Sequence, residues 1–351
     1  MMKFSMFAAS VHGLKYRERG LPCQDSSSAM EFDGVQVIVV ADGHGGKDYL
    51  RSDKGARLAV KVLFEQIKIF CRDLDSDERF SDAGIRNFLF AVCNGWRDAV
   101  LNDWRENPFS PRELRWQTVS DKYKARFTSA DENILEQYVP VAYGTTLLAA
   151  ISIGTQVLLI QIGDGTCAIL RQNGEFKVPV PTDGENFFNV TTSLCEADAV
   201  TKFRHVVLNC DDSPLAPVAI FLSTDGLDDC YPIFENETWL YKLYGGTIID
   251  SLIENGPSLT REAIRDDLLP YLTAHGSNDD ISLAYLVTLD ANLLKRTSEK
   301  FHALTTAQAE SPPPTQPPPT IPTAQPTIAE QYAAARQRLL ARYQIDKGDK
   351  S

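Results

Sequence analysis

The sequence predicts an α+β fold, antiparallel sheets with helices outside. Three observations point to it. Two long stretches carry apolar residues at helical spacing. A run of short apolar strands joined by turn dipeptides follows them. A late helix and a last strand close the pattern, so the order is not the regular strand–helix alternation of a parallel sheet.

Phe4 to Val11 reads as a first strand, too short and too interrupted by Ser5 and Ser10 for a signal-peptide core. Val35-Gln-Val-Ile-Val-Val40 is rich in β-branched residues and predicts a strand. Residues 54–71 place Ala56, Val60, Leu63, Ile67 and Phe70 on one helical face. Residues 84–104 do the same with Ile85, Phe88, Leu89, Val92, Trp96 and Val100. Leu147–Ile153 and Gln156–Ile162 flank Gly154-Thr155 and predict a hairpin. Thr166–Arg171 and Glu175–Val180 flank Asn173-Gly174, a strong hairpin signal. Val218–Leu222 is another strand, residues 259–272 a helix, and Ile281–Val287 the last strand.

The chain has 351 residues, 43% of them hydrophobic, enough for a sizeable core. Its net charge of −12 lacks the basic balance of a nucleic-acid binder. No run of about 18 apolar residues predicts a membrane span. Seven scattered cysteines without a CxxC pair argue against a disulfide scaffold or structural zinc and fit a cytoplasmic location.

Composition divides the chain at about residue 295. Residues 296–326 are expected to be a linker, because Ser311-Pro-Pro-Pro-Thr-Gln-Pro-Pro-Pro-Thr320 cannot bury a core. Residues 327–351 carry a net +2, and Ile328, Tyr332, Ala335, Leu339 and Tyr343 recur at helical spacing. This tail reads as a short amphipathic helix that docks a partner or the acidic body, or as a solvated tail.

The chemistry concentrates at strand ends. Asp42-Gly43, Asp164-Gly165 and Asp225-Gly226 each follow an apolar strand, and Asn278-Asp279-Asp280 precedes one. Asp-Gly is a common turn dipeptide, but four carboxylate sites against core-type strands form a pattern. Converging carboxylates repel unless a cation lies between them. An all-oxygen donor set favours Mg²⁺ or Mn²⁺ over zinc. Gly163-Asp-Gly165 echoes a dinucleotide fingerprint and Gly45-Gly46-Lys47 a phosphate loop, but neither has the required context.

Six motifs in this order, Cys23-Gln24-Asp25, Ala41-Asp-Gly-His-Gly-Gly46, Tyr143-Gly-Thr-Thr146, Ile162-Gly-Asp-Gly165, Ser223-Thr-Asp-Gly226 and Asn278-Asp-Asp-Ile281, resemble the metal-dependent, type 2C serine/threonine protein phosphatases. The match spans roughly residues 5–290. The opening Gly20-Leu-Pro-Cys-Gln-Asp25 and the stretch Gly184-Glu185 to Asn189-Val-Thr-Thr192 resemble a bacterial subgroup.

The resemblance implies a four-layer α/β/β/α sandwich with two Mg²⁺ or Mn²⁺ ions, and a third weaker one, at one end. It implies that Asp42 bridges two metals, Gly43 offers its carbonyl, and Asp225 and Asp279 complete the first site. Asp25 belongs near the second metal and Asp164 to the third. His44 occupies the place of a general acid, and Arg17, or second Lys15, that of the phosphate-holding base. The implied reaction is direct attack of a metal-activated water on phosphoserine or phosphothreonine, without a covalent phosphoenzyme. The implied partner is a phosphorylated protein, with a cognate Ser/Thr kinase opposing it. Gln24 stands where many members have Glu, so a neutral oxygen serves the second metal at best. Residues 185–217 fall where the family has its substrate-selecting flap. A phosphoprotein-binding module with weak turnover and a hydrolase of small phosphate esters remain open readings.

Overall fold

A computed structural model describes residues 3–73, 80–116, 119–181, 191–211 and 213–309. Among these residues ten strands form two five-stranded antiparallel sheets. One has the order β1 (Phe4–Val11), β10 (Ile281–Thr288), β9 (Pro217–Ser223), β6 (Thr166–Arg171), β7 (Phe176–Lys177). The other has the order β2 (Ser26–Phe32), β3 (Val35–Ala41), β4 (Leu147–Ile153), β5 (Gln156–Ile162), β8 (Arg204–Asn209).

The helices are α1 (Leu14–Glu18), α2 (Ser52–Asp73), α3 (Asp82–Glu106), α4 (Pro111–Trp116), α5 (Asp121–Phe127), α6 (Glu132–Tyr138), α7 (Ala199–Lys202), α8 (Asp225–Asp228), α9 (Asn236–Leu243), α10 (Asp250–Ala263), α11 (Leu269–His275) and α12 (Ala291–Ala309). π-helical turns at Tyr244–Ile249 and Ile264–Leu268 join α9, α10 and α11. Within α10 the helix breaks at Gly256, with φ of 78°, and Pro257 starts the second half.

The sheets pack face to face and helices cover both outer faces, the expected four layers. β3 shows why its sequence is an unbroken apolar run. Val35, Val37, Val39 and Ala41 pack against α2 and α3. Ile38 and Val40 face the second sheet, beside Leu148, Ile220 and Leu286. Both faces are covered, so polar alternation disappears. A third cluster lies between the other sheet and helices α9 to α12, around Phe221, Tyr244, Leu268 and Phe301.

Two expectations need correction. The boundary at 295 falls inside α12, which runs to Ala309. Leu294 and Phe301 from this helix are buried, so residues 296–309 are part of the packed body and not linker. The segment 185–217 is not a flap throughout its described part: α7 and β8 lie in it, and β8 pairs with β5 from Gln156↔Asn209 to Gln161↔Arg204. Residues 182–190, with the Gly184-Glu185 to Asn189 stretch, and the tail 327–351 lie outside the described residues. Among the described residues no helix is long and apolar enough to cross a membrane.

Candidate metal centre

Strand register brings the carboxylates together. Ser26 pairs with Ala41, which sets Asp25 beside Asp42. Ser223 pairs with both Leu283 and Thr166, which sets Asp225 between the Asp279 and Asp164 turns. Asp42, Asp164, Asp225 and Asp279 line one cleft of about 250 Å³ with Tyr16, His44, Gly45, Tyr49 and Thr191.

The glycines of the motifs make this convergence possible by close approach. A Cβ on Gly43 would stand 2.5 Å from the Ser52 carbonyl oxygen and 2.7 Å from that of Gln24. One on Gly226 would stand 2.0 Å from the Asp280 carbonyl oxygen. The Gly-Thr-Thr motif has a mechanical task. Thr146 N donates to the Asp42 carbonyl at 2.8 Å, the Thr145 hydroxyl donates to the same oxygen at 2.8 Å, and Asp42 N donates to the Thr146 hydroxyl at 2.9 Å. Asp42 is thus fixed by its backbone while its side chain stays available.

The two residues of the Asp279-Asp280 pair separate cleanly. Asp280 accepts from the backbone N–H of Gly13 and of Gln24, each at 2.6 Å, and so ties three segments together. Asp279 faces the cleft. Asp25 lies one step behind it, buried, accepting from the Thr224 hydroxyl at 2.7 Å. Gln24 is also buried. Its amide donates to Ser52 Oγ at 2.7 Å and to the His44 carbonyl at 3.3 Å, and its Oε1 has no hydrogen-bond partner.

Of the two basic candidates, the structure brings Lys15 to the site. Its Nζ lies 3.3 Å from Asp279 Oδ2. Arg17 is exposed on α1 and is not at the cleft. In a helix two residues along is about 200° around the axis, so α1 cannot turn both toward Asp279. Sequence reasoning missed Tyr16, which α1 buries into the cleft wall. Its hydroxyl hydrogen-bonds Asp279, and burial followed by the Asp279 and Asp42 charges pushes its pKa far up. The adjacent motif Asp at 279 was the only signal for it, and only through the fold.

Electrostatics bear on what the cleft can hold. Burial, then the charges of Asp25 and Asp225, raise Asp42 well above the usual carboxylate range. A hydrogen bond joins Asp42 to Asp225, and burial lifts Asp225 to about 6. Asp228, half-buried on α8, rises to about 7 for the same first reason. Burial lowers His44 to about 4, against the opposing pull of Asp164, so it is a neutral imidazole at pH 7. The donors fit a hard divalent cation: several mutually repelling carboxylates, all oxygen, with Lys15 paired to one of them. They form an open cleft and not a closed cage. Among the described residues no three carboxylate, imidazole or thiol groups are grouped tightly enough to hold an ion as they stand.

A pH prediction follows. Asp225 and Asp228 bind protons more tightly in the folded chain than in the unfolded one. The stability they confer is complete below pH 4 and is lost as pH rises through about 6 and 7. Metal-free protein should therefore melt several degrees lower at pH 7.5 than at pH 5, for a loss of about 1–3 kcal/mol. Saturating Mn²⁺ should remove most of that difference, as read by calorimetry at the two pH values. A metal-free melting temperature that climbs from pH 5 to 7.5 would contradict the crowding of carboxylates.

Comparison with known proteins bears on the family and the fold. A family model described as "Protein phosphatase 2C" matches residues 12–255. A crystal structure of a bacterial serine phosphatase superposes with a TM-score of 0.50 at 13% identity, covering 83% of this chain and 98% of that one. A C. elegans sex determining protein gives 0.51 at 12% identity, covering 85% and 68%. The catalytic domain of the serine/threonine phosphatase PstP, in complex with two manganese ions, gives 0.49 at 18% identity, covering 83% and 100%. No curated protein matches the chain.

Proposed function

This chain belongs to the protein phosphatase 2C family, and we propose that it is a divalent-metal-dependent phosphatase of phosphoserine and phosphothreonine in proteins. The observation that carries the reading is the convergence of Asp42, Asp164, Asp225 and Asp279 from four strand ends into one oxygen-lined cleft. When bound, Mg²⁺ or Mn²⁺ supplies an acidified water and neutralises charge on the phosphate oxygens.

The chain's own groups divide the remaining work. Asp42, Asp225 and Asp279, with the Gly43 carbonyl, are the residues to hold the first ions. Asp164 serves a further one, and Asp25 supports Asp42 from behind. Lys15 reaches the cleft edge on a flexible stem and is placed to meet a phosphate oxygen. His44 is neutral near pH 7, which suits N–H donation toward the leaving oxygen better than delivery of a full proton.

The cleft also argues for the substrate class. At about 250 Å³ it is smaller than the 300–1,000 Å³ typical of sites that enclose a small molecule. It admits a phosphate head and leaves the bearer outside, as a phosphoprotein requires. Phosphothreonine peptides should be hydrolysed in Mn²⁺ with kcat/KM at least tenfold above sugar and nucleoside monophosphates. The reverse order in a side-by-side kinetic panel would turn the assignment to small esters.

Lys15→Met should raise KM for a phosphopeptide about three- to tenfold, and Arg17→Met should leave it within twofold. Equal effects of the two variants would return the phosphate-holding role to Arg17 or remove it from both.

A second reading rests on Gln24, which brings no charge and is already engaged by Ser52 and His44. If the second metal binds too weakly for turnover, the chain acts as a phosphoprotein-binding module. Phosphopeptide binding without hydrolysis at millimolar Mn²⁺ would identify it.

A further inference from the structure

We infer that the C-terminal segment 327–351 docks on its own body, in the groove between β7, α9 and the end of α12. The groove has a volume of about 580 Å³ and is lined by Phe176, Tyr241, Phe301, Leu304 and Thr305, with Lys177 and Glu237 among the rim residues. Its floor is aromatic. Phe176 stacks on Tyr241 with centroids 4.8 Å apart and meets Phe301 edge-on at 5.4 Å. Of the lining residues the apolar Leu304 is left in water at 40% exposure, and Val178, next in the chain to the lining residue Lys177, is 44% exposed. β7 is also the edge strand of its sheet, with no further strand beyond it among the described residues.

The occupant is argued from where the chain leaves. Leu304 and Thr305 belong to the last turns of α12, which ends at Ala309. The next 42 residues, 310–351, start beside the groove. The proline-rich stretch 310–326 is 17 residues long and spans up to about 50 Å when extended, enough to return from any direction. Tethering at this range gives an effective concentration on the order of 1 mM. A contact with an intrinsic Kd near ~100 µM would then be about 90% formed.

The chemistry of the two surfaces matches. Ile328, Tyr332, Leu339 and Tyr343 recur at helical spacing and offer an aromatic and aliphatic stripe for the Phe176–Tyr241–Phe301 floor. The rim is electrically balanced, Glu175 and Glu237 against Lys177 and Lys242. The contact is therefore apolar at its centre, with weak attraction between the +2 segment and the acidic body around it.

Position determines what docking does. The groove opens at the Gly174 end of the β6–β7 hairpin, whereas Asp164 precedes the other end of β6. Six residues of strand separate them, about 20 Å. A docked segment therefore leaves the carboxylate cleft open.

The test is photo-crosslinking in the full-length chain, with p-benzoylphenylalanine in place of Leu339. Mapping by mass spectrometry should find products within residues 174–178, 237–242 or 301–305. In a mixture of isotopically light and heavy chains these products should stay within one chain. Leu304→Glu and, separately, Val178→Glu should each reduce them at least fivefold; both sites are exposed, and circular dichroism checks the fold. Products on other surfaces, products joining light to heavy chains, no product, or yields unchanged in both variants would each overturn the inference.

Discussion

Asp42→Asn is expected to lower turnover by about a thousandfold or more, at least ~4 kcal/mol at the barrier, without weakening the metal-free fold. The two halves come from one fact. Asp42 is held by its backbone, through Thr145 and Thr146, so the side chain contributes little to the fold. Its carboxyl is crowded by Asp25 and Asp225, and removing the charge relieves that crowding. The metal-free variant should melt at the wild-type temperature or a few degrees above it at pH 7.5. Near-wild-type turnover in the folded variant would mean that Asp42 is not central. A large drop in metal-free melting temperature would mean that its carboxylate is structural.

The second large effect concerns the C-terminal boundary. Ending the chain after residue 298 should destabilise it by about 3–5 kcal/mol or prevent folding, because that cut removes Phe301 from the core. Phe301 is 5% exposed and so closely applied to Gly245 that a Cβ there would fall 2.4 Å from its ring. Ending after residue 309 should leave the melting temperature within about 2 °C and turnover of an aryl phosphate within twofold. If the chain ending at 298 melts like the full-length protein, α12 is not part of the core.

The strands carrying the motifs were legible because each is a covered apolar run that stops at Asp-Gly or starts after Asp. β3, β9 and β10 are buried on both faces, so hydrophobicity alone marks them. β2 was not legible. Ser26, Ser27 and Ser28 have no strand signature, and the segment is a strand because seven of its residues pair with β3. Residues 206–208 of β8 had an apolar signal that the expectation of a flap obscured. α12 was hidden for a different reason. Leu294, Thr297 and Phe301 do recur at helical spacing, but the proline-rich composition just beyond drew the boundary too early.

At the site, Asp42, Asp164, Asp225 and Asp279 were readable as a set because each is tied to a strand end, and strand ends meet. In the 279–280 pair Asp280 is consumed by two backbone N–H groups, while Asp279 lines the cleft. Lys15, Arg17 and Tyr16 could not be ranked from sequence. They are consecutive residues of a five-residue helix, and only its rotation against the 278–280 turn decides which faces the cleft. His44 was legible in position but not in protonation, since burial lowers it to about 4 and burial is a property of the fold.

The central claim is that these carboxylates bind divalent cations for phosphate-ester hydrolysis. Its most direct measurement is phosphothreonine-peptide turnover by chelator-stripped, full-length protein, before and after Mn²⁺ is returned. The stripped protein should be inactive, and millimolar Mn²⁺ should restore hydrolysis by at least a hundredfold. Full turnover in the continued presence of EDTA would contradict it.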